Sequence, residues 1–329
     1  IVEQTGSDQG IQYSKAKYKV DVTVTDAGNG TLSVFDPVLT QVLSDEGTKT
    51  DRSVYGATFT NHFTASGSVT LTATKSLQGQ ALSNEQFTFT LTDVTKGLAE
   101  ADKVTMEPVK NMGTSVNFVL NNVYDQDDVG KTFTYEIRET AGETGKGYTY
   151  SEAVYRAEVT VSLDEENNEI VPAVAYTRYN EETKEWDEVD AEEVVFANAY
   201  AAHGEATISG SKTVTYRDAA VEKGEFGFLL KEGDNEIATI QTKAGGAFSY
   251  TFQYDITPET TSEALAALLG THTYTLTEIV PDDADTQIEY SVQEYTIEIT
   301  VDDNDRDGQL NVSTPVETEK TAGTVAADA

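Results

Sequence analysis

The chain has 329 residues, with 57 acidic against 22 basic side chains for a formal charge of −35, 38% hydrophobic residues and no cysteine. That length suffices for two or three domains with real cores. The charge argues against nucleic acid and anionic membranes as partners, and the missing cysteines exclude disulfides and thiolate metal sites. No apolar run approaches membrane-spanning length, and the chain opens Ile1-Val2-Glu3 without a signal peptide or initiator Met, so a fragment or processed product is expected.

Taken in chain order, the patterned stretches have period two, the signature of strands. Tyr18, Val20, Val22 and Val24 alternate with polar residues before the turn Asp26-Ala27-Gly28-Asn29-Gly30. Val69, Leu71 and Ala73 alternate with threonines, as do Phe87, Phe89 and Leu91, and Phe133, Tyr135 and Ile137 form a third such face. Asp164-Glu165-Glu166-Asn167-Asn168 is a turn, and the polar stretch holding Trp186 is expected to be a loop. Val194 and Phe196 begin another strand. Ala206 and Ile208 begin the next, and Tyr295, Ile297, Ile299 and Val301 a later one. The one convincing helix is expected over residues 258–269, with Pro258 near its start and Gly270 as its stop.

The chain also repeats itself. Phe59-Thr60-Asn61 returns as Phe196-Ala197-Asn198, 137 residues on, and Lys75 returns as Lys212 at the same interval. Tyr135-Glu136-Ile137-Arg138-Glu139 returns as Tyr274-Thr275-Leu276-Thr277-Glu278, 139 residues on, and Ile1-Val2-Glu3 matches the end of that pentad. The expected organisation is therefore the C-terminal half of one unit over 1–64, a complete unit over 65–202, and a third over 203–329 that lacks its last strand. The joints at residues 61–67 and 199–204 lack a Gly/Ser tract, so the units should stack with limited freedom. All of this points to an all-β array of sandwiches with one short helix in the third unit.

Three polar residues occupy apolar faces. Counting by twos from Val69 puts Lys75 on the core side; the same count puts Lys212, Glu139, Glu278, Asn198 and Asn61 there. A lone buried charge is costly. One resolution is a buried Lys–Glu ion pair hydrogen-bonded to the Asn amide. The other is covalent: desolvation leaves Lys and Glu neutral, the amine attacks the Asn carbonyl while a protonated Glu polarises it, and ammonia departs.

The unit resembles the isopeptide-linkage domains of Gram-positive pilins and adhesins, related to collagen-adhesin B-type folds. The stretches that carry the likeness are Val69-Thr70-Leu71-Thr72-Ala73-Thr74-Lys75 with Gly79, Phe87-Thr88-Phe89-Thr90-Leu91, the run from Asp128 to Glu139, and Val194-Val195-Phe196-Ala197-Asn198-Ala199-Tyr200. The resemblance implies Ig-like sandwiches in which the first-strand Lys bonds to the last-strand Asn with help from the Glu. On this chain those residues are Lys75, Asn198 and Glu139. It further implies Glu3 with Asn61 in the first unit, whose Lys would precede residue 1, and Lys212 with Glu278 in the third, where Asp328 is a weak substitute for the Asn. The implied role is a structural stalk or pilus shaft at the surface of a Gram-positive cell, with further repeats or pilin subunits as partners. The alternative is a ligand-binding adhesin module whose loops contact host molecules. The implied chemistry runs once per domain, so no enzyme and no cofactor is expected.

Other candidate chemistry is weaker. Asp303, Asp305 and Asp307, followed by Gly308, spell the start of a calcium loop, but no Glu follows at the bidentate position and a hairpin turn is favoured. Asp125-Gln126-Asp127-Asp128 is likewise expected to be a turn. His62, His203 and His272 are isolated, and the first two sit at the joints.

Overall fold

The structure is a computed structural model that describes residues 1–7, 10–282 and 287–319. Almost all of its regular structure is β, as the period of two requires.

The central part of the chain forms two facing sheets. One orders six strands as Val109–Lys110, Thr88–Asp93, Thr132–Thr140, Val154–Asp164, Glu169–Asn180 and Glu185–Val189. The other orders four, as Ser115–Asp125, Ser66–Gln78, Val195–Tyr200 and Tyr148–Thr149. All pairings are antiparallel except one: Val195–Tyr200 lies parallel to Ser66–Gln78, with Phe196 opposite Lys75 and Asn198 opposite Leu77. Leu71, Phe118 and Phe196 from one sheet meet Phe89, Tyr135, Ile137 and Val159 from the other in a single core. Phe89 and Phe196 pack tilted against each other across the two layers, with ring centroids 5.3 Å apart.

The described residues from Ala202 onward form a second sandwich with its own core. The strand Ala202–Ser211 pairs with Ala247–Ile256 in a two-stranded sheet, and its His203 also bridges to Gln309. Its partner layer contains Asn235–Gln241, Gly227–Glu232, Gly270–Glu278, Glu294–Asp302 and Asn311–Val312, with Val316–Glu319 also on Glu294–Asp302. The helix is shorter than its sequence suggests, Ser262–Leu268, because Thr261 rather than Pro258 caps it, its hydroxyl accepting from Ala264 N at 3.2 Å. Pro258 sits in the preceding turn, where Thr260 N donates to Thr257 O, and Gly270 opens the following strand instead of closing the helix.

In the first 64 residues the expected long strand divides into Lys17–Asp21 and Val24–Asp26, which join different sheets. Tyr18 is buried, whereas Val20, Val22 and Val24 are exposed, since no second layer among the described residues covers that face. Trp186 lies on the strand Glu185–Val189 and not in a loop; the Arg156 guanidinium stacks 3.8 Å over its ring, so the Trp anchors the outer sheet face.

The acidic turn after Val301 does not gather its carboxylates. Asp303 is buried at the joint between the two sandwiches, accepting from Tyr200 Oη at 2.8 Å and Gln80 Nε2 at 2.7 Å. Asp305 lies 3.5 Å from Asn311 Nδ2, and Asp307 accepts from Gln309 N and faces Lys146 at 3.9 Å. Among the described residues no group of three or more His, Cys, Asp or Glu could hold a metal ion. Around Asp303, Leu77 and Tyr148 pack against both cores. Backbones also meet there: a Cβ on Gly147 would lie 2.7 Å from Gly308 Cα, and one on Gly79 would lie 2.3 Å from Tyr200 O. Arg306 reaches back to Ser83 Oγ at 3.3 Å. Asp125 to Asp128 is a capped 3₁₀ turn.

Candidate functional site

Lys75 faces inward because it continues the alternation of Leu71 and Ala73 along Ser66–Gln78, and its side chain is 0% exposed. Its ammonium lies 4.4 Å from the centroid of the Phe87 ring. From there Nζ donates to Phe196 O and to Glu139 Oε2, both at 3.0 Å. Glu139 continues the Phe133, Tyr135, Ile137 face of the opposite sheet and its side chain is also 0% exposed. Asn198 follows Phe196 by two, so it shares that face, and the parallel pairing sets it beside the lysine strand. Its Nδ2 donates to Glu139 Oε1 at 2.7 Å. The carboxyl therefore bridges the amine through one oxygen and the amide nitrogen through the other.

Burial dominates the electrostatics. It pulls the Lys75 ammonium down to about 8, against the opposing pull of Glu139, and pushes the Glu139 carboxyl up, against Lys75 and the Asn198 hydrogen bond. Both shifts favour the neutral forms and bring the proton affinities of the two groups closer together. The orientation of the amide differs from the expectation that a protonated Glu polarises the carbonyl. Asn198 turns its nitrogen to Glu139, and its Oδ1 instead accepts from Ser151 N at 2.7 Å. The reason is donor accounting: the half-buried Ser151 N–H points at the amide, and Oδ1 is the only acceptor the amide has. Ser151 was missed by side-chain patterning because only its backbone takes part. The recurrence of Tyr-Ser at Tyr13-Ser14, Tyr150-Ser151 and Tyr290-Ser291 was the available signal.

The flanking sites are incomplete in complementary ways. In the first, Asn61 Nδ2 donates to Glu3 Oε1 at 2.8 Å and Ser14 N donates to Asn61 Oδ1 at 2.8 Å. The buried Glu3 Oε2, equivalent to the oxygen that meets Lys75, has no hydrogen-bond partner among the described residues. Lys19 pairs with Asp21 on the surface and Lys17 is exposed. In the third, Lys212 Nζ lies 2.8 Å from Glu278, hydrogen-bonded to Oε2, and Ser291 N donates to the same oxygen at 2.7 Å. Here the buried Glu278 Oε1 has the ion-pair contact with Lys212 at 2.8 Å but no hydrogen bond among the described residues. Lys212 is 14% exposed at a groove of about 320 Å³ lined by Phe228, Phe248 and Leu276, in contrast to the sealed Lys75. Asp328 lies outside the described residues. His203 pairs with Asp255 at 2.7 Å and His272 with Glu232 at 2.8 Å.

Comparison with known proteins supplies the family. No curated protein matches the sequence. Among solved structures the chain is similar to a major pilin from Streptococcus pyogenes at 16% identity, over 78% of this chain and 93% of that one, with a TM-score of 0.33. It is also similar to the T3.2 major pilin of S. pyogenes serotype GAS13637, at 14% identity over 76% and 92% with a TM-score of 0.30. The Bacillus anthracis TIE protein aligns at 10% identity over 85% and 71% with a TM-score of 0.17. The family described as the Spy0128-like isopeptide containing domain, FctA, matches residues 1–64, 71–201 and 208–325. With nearly its whole length matched in three successive segments, the chain belongs to the Spy0128-like isopeptide-containing domain family.

Proposed function

We propose that the chain is a structural segment of a pilus shaft or surface stalk on a Gram-positive cell, built from units over 1–64, 65–202 and 203–329. Its middle unit ties its first strand to its last by an isopeptide bond between Lys75 and Asn198. The family membership supports the pilin role, and further copies of the same repeat or other pilin subunits are the partners. The observation that carries the cross-link is the buried Glu139 carboxyl touching the amine at 3.0 Å and the amide nitrogen at 2.7 Å.

The chemistry follows from that bridge. Glu139 takes a proton from the Lys75 ammonium, and the freed amine attacks Cγ of Asn198, forming the Nζ–Cγ bond as the carbonyl pair moves onto Oδ1. Glu139 returns its proton to Nδ2 and accepts a second from Nζ. The Cγ–Nδ2 bond then breaks, ammonia departs, and a neutral amide and a protonated Glu139 remain. There is no turnover, because the nucleophile is consumed. Proximity does much of the work, since the two strands are hydrogen-bonded neighbours before any bond forms. Proteolysis followed by tandem mass spectrometry tests this reading. A branched peptide joining Lys75 to Asn198 is expected in the native protein and absent from Glu139→Ala; two separate linear peptides in the native protein would refute it.

A further inference from the structure

We propose that the backbone N–H of Ser151 is the oxyanion donor of the cross-linking reaction, held in place by a Tyr-Ser turn that every unit carries. The inference rests on the cross-link reading above and adds a catalytic group to it. As Nζ adds to Cγ, the carbonyl π pair becomes a lone pair on Asn198 Oδ1. An N–H already 2.7 Å from that atom stabilises the charge where it develops, without rearrangement. The same contact dictates which end of the amide faces Glu139. With Oδ1 committed to Ser151, Nδ2 meets Glu139 Oε1, so the leaving nitrogen sits on the group that must protonate it. When the tetrahedral adduct collapses, the pair returns from Oδ1 to carbon and the Cγ–Nδ2 bond breaks with loss of ammonia.

The turn is built to aim this donor. Ala153 N donates to Ser151 Oγ at 3.3 Å, closing a local turn around the residue. Ala16 N does the same to Ser14 Oγ at 3.1 Å, and Gln293 N to Ser291 Oγ at 3.2 Å. The preceding tyrosine ties two of these turns to the loop leaving the glutamate strand. A Cβ on Gly142 would lie 2.2 Å from Tyr150 Oη, and one on Gly6 would lie 2.2 Å from Tyr13 Oη. In the third unit, where no Asn meets it among the described residues, Ser291 N donates to Glu278 Oε2 at 2.7 Å. The turn therefore presents its N–H to the Lys–Glu site there as well.

The test removes one hydrogen-bond donor. An α-hydroxy acid analogue of serine placed at position 151 of the full chain turns the amide into an ester, deleting the N–H and keeping the side chain. Ammonia loss is then followed by intact mass after refolding. The native chain is expected to lose one ammonia, and the ester chain to close about 100-fold to 1000-fold more slowly. Closure of the ester within a few-fold of the native rate would overturn the oxyanion role while leaving the cross-link standing. A native chain that retains full mass would overturn both. If the ester chain does not fold, Ser151→Ala and Ser151→Thr decide the matter. The Ala variant loses the turn that aims the N–H and is expected to slow by about tenfold, with Thr restoring the rate. An Ala variant that closes at the native rate would overturn the proposal.

Discussion

Lys75, Glu139 and Asn198 are worth most together, because each makes the burial of the others tolerable. A buried ion pair adds little net stability, and removing one member leaves an uncompensated charge that costs about 3–5 kcal/mol. Conversion to an amide and a neutral acid removes both charges from the core. Glu139→Gln keeps the shape but exchanges one of the two accepting oxygens for a donor, and it cannot take a proton from Lys75. It is expected to fold and to retain the full mass, as read by mass spectrometry. The pH profile follows from the shared proton. The competent pair holds one proton between amine and carboxyl. Alkali removes it as the Lys75 ammonium, lowered to about 8, gives it up, and acid adds a second one to the carboxyl, raised by burial. The rate of ammonia loss on refolding should therefore be bell-shaped, with its alkaline limb near pH 8; a rate that keeps rising beyond pH 10 would contradict a proton-shuttling Glu139. At this scale the three side chains were legible by counting in twos, since a polar residue on an apolar face is conspicuous. Neither the amide orientation nor Ser151 was legible, because a backbone N–H has no side-chain pattern.

The deciding arrangement of elements is the parallel pair Ser66–Gln78 and Val195–Tyr200, which places the first and last strands of the unit side by side. A bond between them closes a loop of 124 residues, Lys75 and Asn198 included. By the chain-entropy argument used for disulfides, a loop of that size is worth about 5 kcal/mol. Asn198→Ala, which prevents closure, should accordingly lower the calorimetric melting temperature of the middle unit by well over ten degrees; an unchanged transition would mean that no bond was lost. The flanking units carry the same Glu with one partner lacking among the described residues. The 329-residue chain is thus expected to lose one ammonia in all. An additional loss of water instead would identify Asp328 as the partner of Lys212, since a carboxyl leaves water where an amide leaves ammonia. The strands were readable from their alternation. Trp186 was not, because a polar hairpin strand whose outer face is covered by Arg156 shows no apolar period. The helix start was misplaced because Thr261, an ordinary cap, competed with a more conspicuous Pro258.

For the whole molecule the acidic turn matters as a joint. Asp303 is joined to Tyr200 and Gln80, and Tyr200 is two residues beyond Asn198 on the same strand. The strand that carries Asn198 therefore runs straight into the joint, and Leu77 and Tyr148 extend both cores across it. Asp303→Ala leaves the half-buried Gln80 amide and the buried Tyr200 hydroxyl without their acceptor. It should broaden the distribution of angles between the two sandwiches, seen as a lower maximum dimension in small-angle scattering, with ammonia loss unaffected. The sequence showed short joints without a linker, but the pairing of a turn from one unit with a strand end of another joins residues more than 100 positions apart, which no local pattern records. Under tension a closed middle unit carries load through the Lys75–Asn198 bond, so the strands between them bear none. The most direct check of the central claim is intact mass under denaturing conditions for the native chain beside Lys75→Ala. The native chain should be lighter than its sequence mass by one ammonia and the variant should match its own sequence mass; a native chain at full mass would leave Lys75 and Glu139 as a buried ion pair and contradict the account.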